Sequence, residues 1–205
     1  MGMADGFLIV VALGDSLTAG YRTLDPYAID PRVPYPAQLQ TLIRGRLKGQ
    51  TQAFVINAGV NGDNTDGMLW RFRQTVATEK PEIVVIWGGI NDLGAAKGPE
   101  QVMENLTNLY ALCREIGATP LACTLTPTRL TSSNIRRLNE LIRAHASEKD
   151  VVLIDLFYGL VNMEGNLRQE YSDDGVHLTQ AGYGKVAEIV LGSLVPLIER
   201  WSSDQ

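Results

Sequence analysis

Phe7-Leu-Ile-Val-Val-Ala-Leu-Gly-Asp-Ser-Leu-Thr-Ala-Gly-Tyr21 is the stretch on which the reading of this chain turns. Its first seven residues are apolar, rich in Val and Ile, and stop at Gly14. Such a run reads as a strand covered on both faces, which places it inside a parallel sheet. Ser16 follows at once. In open α/β sheets ligands sit beyond the carboxyl ends of the strands, so Ser16 is expected where a substrate would lie. A serine hydroxyl is a weak nucleophile until a base takes its proton. That base has to come from elsewhere in the chain.

Two histidines are available, His145 and His177. His177 ends Ser172-Asp-Asp-Gly-Val-His177, with Asp174 three residues before it. That spacing lets a carboxylate accept a bond from one ring nitrogen while the other nitrogen faces the serine. Asp173 is the rival acid. His145 falls instead on Ile135, Leu138, Ile142 and His145, steps of three and four that mark the inner face of a helix near its end. It reads as structural.

Outward from the first strand, apolar runs at 53–57, 83–87, 119–125 and 151–154 read as four more strands. Amphipathic patterns between them give helices at 36–48, around Met68 to Val76, at 99–116 and at 134–147. A last helix is expected over 179–195, with Pro196 ending or kinking it. Residues 22–36 read as a loop and 157–172 as irregular or partly helical. Five alternations of strand and helix predict a three-layer α/β/α sandwich on a five-stranded parallel sheet. Right-handed crossovers favour the flavodoxin-like order 2-1-3-4-5. The expectation is one domain over residues 1–205.

Composition narrows the function. A net charge of -5, with no long cluster of Lys or Arg, argues against nucleic acid. No apolar run approaches the roughly 18 residues of a membrane span, and the first residues lack a secretory pattern. A cytoplasmic location is therefore expected, or a periplasmic or secreted one if a leader has been removed. Cys113 and Cys123 lie in apolar patterns, read as small buried hydrophobes and lack metal-site spacing. Neither GxGxxG nor GxxxxGK[ST] occurs, and the elbow GxSxG is absent because residue 18 is Thr.

Three strand ends carry small polar turns, at Ser16, Gly62 and Asn91. If the strands are neighbours, the Ser16 amide, the Gly62 amide and the Asn91 side-chain NH2 can converge on an oxyanion. Taken singly, Gly62 and Asn91 are as well explained as turn formers. Taken with the motifs at either end, the set resembles the GDSL, or SGNH, hydrolase family. The matching blocks are GDSL at 14–17, Gly62 in NAGVNGD, Asn91 in GGIND and DGVH at 174–177, in the same order and after successive strands. The likeness is greatest to the bacterial branch of arylesterases, lysophospholipases and thioesterases.

The resemblance implies Ser16 as nucleophile, Asp174 and His177 as its triad partners, and Ser16, Gly62 and Asn91 as the oxyanion hole. It also implies hydrolysis of a small-molecule carboxylic or thio ester through an acyl-enzyme, with no metal or organic cofactor. Two other functions compete: a carbohydrate acetylesterase of the same fold, and a non-hydrolytic flavodoxin-like binding protein. The second leaves Asp174 and His177 without a role. The long loop at 22–36 and Ile90 depart from the family pattern and bear on acyl preference. Tyr27, Tyr35, Leu160 and Met163 are candidates to line an acyl pocket. Trp70, Trp87 and Trp201 read as packing residues, and Asp15, Asp63 and Asp92 as turn or capping acids.

Overall fold

The computed structural model describes residues 7–26, 30–47 and 52–203. β1 (Phe7–Gly14) lies between β2 (Gln52–Gly59) and β3 (Ile83–Trp87), and β4 (Thr119–Cys123) and β5 (Val152–Ile154) extend the sheet beyond β3. Every neighbouring pair is parallel, which gives the expected order β2-β1-β3-β4-β5. The Val- and Ile-rich composition explains the centre: Leu8, Val10, Val11, Ala12 and Leu13 of β1 and all of β3 are buried. Burying one such large aliphatic side chain contributes about 1.5–3 kcal/mol. A change in this run would therefore cost a large part of a domain's stability.

The helices are α1 (Ser16–Ala19), α2 (Tyr35–Leu47), α3 (Thr65–Thr75), α4 (Ile90–Gly94), α5 (Pro99–Glu115), α6 (Ser133–Lys149), α7 (Leu156–Leu160) and α8 (Gln180–Ser203). α2 packs on α8, and α5 packs on both α3 and α6. Cys113 and Cys123 are buried free thiols, and burial pushes the Cys113 thiol up to about 12. His145 is half-buried on α6, its ring 5.5 Å from that of Tyr110.

What positions the site is register. Gly14 at the end of β1 pairs with Gly59 of β2 on one side and Trp87 of β3 on the other. The three chain segments that follow therefore leave the sheet on the same rim, side by side. α1 turns back across β2 closely enough that a Cβ on Gly59 would lie 2.2 Å from the Ala19 nitrogen. Only glycine allows that approach.

Pro196 neither ends the last helix nor stands near its end, because α8 continues to Ser203. Val186, Val190, Leu194 and Ile198, spaced by four, are all buried, so core packing on both sides of the proline outweighs its missing backbone bond. Among the described residues, α8 is the one helix long and apolar enough to cross a membrane by length and composition. A core helix passes the same test, and that buried stripe gives α8 a core.

Candidate active site

Ser16 is the first residue of α1. Asp15 caps that helix, its carboxylate accepting the Leu17 amide at 2.9 Å. A residue at this position has no helical acceptor for its own N–H. Ser16 Oγ lies 3.2 Å from His177 Nε2, and His177 Nδ1 lies 2.8 Å from Asp174 Oδ2. An ionised carboxylate only accepts, so Nδ1 carries the proton and Nε2 presents its lone pair to the serine hydroxyl. Asp174, not Asp173, bonds the ring; the Asp173 carbonyl instead accepts Arg129 at 3.0 Å.

The Asp174 loop is built to hold a charge. Its Oδ1 accepts the Val176 and His177 amides, each at 2.8 Å, while the Ser172 hydroxyl reaches the His177 carbonyl at 2.6 Å. Burial opposes ionisation of Asp174, but the Thr23 hydroxyl, the imidazole and these amides outweigh it and hold the carboxyl well below its usual range. Asp15 goes the other way. Burial, with the like charges of Asp63 and Asp92 nearby, pushes it up to about 7, against the pull of the Leu17 amide.

Gly62 and Asn91 follow the two strands that flank β1, and Asn91 Nδ2 donates to the carbonyl of Asp63, next to Gly62, at 2.7 Å. Gly62 has φ +75°, while a Cβ there would meet nothing within 4 Å. Backbone conformation, not space, asks for glycine. Arg71 of α3 ties this turn to β1: its Nε donates to Asp63 Oδ2 at 2.7 Å and its NH2 to the Gly14 carbonyl at 3.0 Å. Asp92 accepts the amide and hydroxyl of Thr65 at 2.9 and 2.7 Å. The rim acids are thus spent on holding turns together.

The structure therefore joins Ser16, His177 and Asp174 in one hydrogen-bonded chain, and Asn91 to the turn that holds Gly62. Arg71 was not singled out from the sequence. It stands between Met68 and Phe72 of the buried stripe, and a charge there has to find a partner. Thr23 and Tyr21, which also touch the site, lie in a loop with no periodicity to mark them. Tyr35 and Leu160 do not line a pocket: both are fully buried, because they sit on the inward faces of α2 and α7. Met163 is fully exposed, beside a cavity of about 700 Å³, and Tyr27 lies outside the described residues. Trp87 is core, but Trp70 is 80% exposed, on the outer side of α3 opposite Met68 and Phe72. A further cavity of about 670 Å³ is lined by Ser172, Asp173 and Gly175 together with Arg129, Asn166 and Arg168.

A serine, an imidazole and a carboxylate in sequence, on the carboxyl rim of a parallel sheet, define a serine-hydrolase type of site. Residues 12–185 match the model of the GDSL-like lipase/acylhydrolase family, and the chain belongs to that family. It is similar to thioesterase 1/protease 1/lysophospholipase L1 of Escherichia coli K12, with 30% identity over 95% of this chain and 86% of that protein. Esterase TesA of Pseudomonas aeruginosa is 30% identical over 70% of this chain and 71% of that protein. Among solved structures, TesA aligns with TM-score 0.71 and 25% identity, covering 92% of this chain and 99% of that one. The acetyl xylan esterase AlAXEase shares the fold, with TM-score 0.75 at 23% identity over 91% of this chain and all of that one. The protein is an ester-hydrolysing enzyme of this family.

Proposed function

We propose that the enzyme cleaves carboxylic and thio esters through an acyl-enzyme on Ser16. The observation that carries this is the chain from Ser16 Oγ to His177 Nε2 at 3.2 Å and from His177 Nδ1 to Asp174 Oδ2 at 2.8 Å. His177 takes the hydroxyl proton as Ser16 attacks the acyl carbon, then returns it to the leaving alcohol or thiol. Asp174 holds the tautomer and stabilises the imidazolium. Water, deprotonated by the same ring, attacks the acyl-serine and releases the acid. The Ser16 and Gly62 amides and Asn91 Nδ2 donate to the oxyanion, and the bond from Asn91 to the Asp63 carbonyl fixes the side chain for that task.

Similarity to the E. coli thioesterase and lysophospholipase supports acyl substrates of that kind. A carbohydrate acetylesterase is a second reading, favoured by the cavity beside the Asp174 loop, whose walls carry Arg129, Arg168, Glu164, Asn162 and Asn166. A panel of p-nitrophenyl esters of rising chain length, acyl thioesters and acetylated xylan separates the two. Turnover that rises with chain length supports the first reading, and activity confined to acetyl groups with release from xylan supports the second. Any activity surviving in Ser16→Ala overturns both.

A further inference from the structure

The loop that leaves α1 reaches around to touch both partners of Ser16. The Tyr21 ring packs against that of His177, centroids 4.6 Å apart, and the Tyr21 carbonyl accepts the Tyr183 hydroxyl of α8 at 2.6 Å. Two residues further on, Thr23 Oγ1 donates to Asp174 Oδ2 at 2.5 Å, across 151 positions of sequence. That oxygen is the one bonded by His177 Nδ1. The amides of Val176 and His177, which donate to Oδ1, both come from the acid's own loop. Thr23 comes from the segment that carries the nucleophile.

A carboxylate held only from its own loop is aligned with that loop and not with the serine. A second donor on Oδ2 comes from a segment fixed to α1 by the Tyr21 amide, which donates to the Ser16 carbonyl at 3.0 Å, and to α8 by the Tyr183 hydroxyl; it sets the carboxylate relative to Ser16. The branched Thr side chain helps, since it has few rotamers to lose. Thr23 is itself exposed, so its hydroxyl had water as an alternative partner. We infer that Thr23 is a positioning residue for the reaction, acting through Asp174 to hold the imidazole in line with the Ser16 hydroxyl. The inference rests on the triad reading given under the proposed function.

The test pairs Thr23→Val, which keeps the shape and removes the hydroxyl, with Thr23→Ser, which keeps the hydroxyl. Steady-state kinetics on a p-nitrophenyl ester should give Thr23→Val a kcat lower by about tenfold with KM changed less than about twofold, since the bond removed is charge-assisted and its exposure weakens it. Thr23→Ser should stay within about twofold of the parent on the same scale. The low-field proton NMR signal of His177 Nδ1–H should move in Thr23→Val and keep its place in Thr23→Ser. A merely structural role would lower thermal stability without moving that signal. Parent-like turnover in Thr23→Val, equal losses in both variants, or a loss confined to KM would overturn the inference. Parallel assay of Ser16→Ala keeps the two levels apart: an active Ser16→Ala removes the triad and this inference with it, whereas an inactive one beside a fully active Thr23→Val removes the inference alone.

Discussion

Asp15 and Asp174 sit within reach of the same reaction and are driven in opposite directions. Asp15 keeps its proton up to about pH 7 when folded, against 3.8 in the unfolded chain. Between those values the folded state binds more protons, so stability contributed by Asp15 falls as pH rises and levels off above about 7. Asp15→Asn retains an acceptor for the Leu17 amide and removes this slope. Its chemical-denaturation stability relative to the parent should change by up to about 2.5 kcal/mol in its favour between pH 5 and pH 8, since about two pH units of the shift lie in that window. For Asp174 the folded value lies below the unfolded one, so its contribution is present above about pH 4 and is lost as the solution is acidified further. Asp174→Asn should therefore flatten the acid side of the stability curve.

Asn91 and Gly62 are predicted to differ in kind. Asn91→Ala removes one of the proposed oxyanion donors and should lower kcat by about 10² to 10³, read from initial rates. Gly62→Ala meets no atom within 4 Å, so its cost is the strain of φ +75°, roughly 1–2 kcal/mol, seen as a lower denaturation midpoint.

At the scale of the element, Pro196 is the informative position. It is exposed within α8 and withholds a backbone bond that an alanine would make. Pro196→Ala should raise stability by about 1–3 kcal/mol by thermal melting, the lower value allowing for the greater freedom of the unfolded chain. The helix runs past the expected end near Val195 because proline is a local signal, whereas the stripe from Val186 to Ile198 that carries the helix on acts through the core. Strands were legible because β1 and β3 are covered on both faces and read as unbroken apolar runs. The short helices α1, α4 and α7 were not, since one turn has no period to detect. Position, not type, was also hidden at the sheet edge. Gln40 of α2 donates to the Ala53 carbonyl at 2.6 Å and accepts the Val55 amide at 2.7 Å, standing in for a missing strand beside β2.

Across the whole molecule, the site is a product of topology. The parallel register brings Gly14, Gly59 and Trp87 level, so the turns that bear Ser16, Gly62 and Asn91 start from one rim. The loop before α8 then brings His177 back across 161 positions to Ser16. Ser16, Asp174 and His177 could be read in advance because each lies in a short motif with a chemical reason for its spacing. Thr23 and Arg71 could not, because their partners are distant in sequence and only the folded chain brings them close. The same distinction explains the acyl-pocket residues: Tyr35 and Leu160 were placed by their loops, and the core took them.

The central claim is that Ser16 is a nucleophile activated by His177. Its most direct measurement is labelling with a p-nitrophenyl alkylphosphonate followed by intact and peptide mass spectrometry. The account predicts one phosphonyl group per chain, carried by the peptide containing Ser16, with loss of activity in step with labelling and almost none in His177→Ala. Full loss of activity with the label on another residue, or undiminished labelling of Ser16 in His177→Ala, would contradict it.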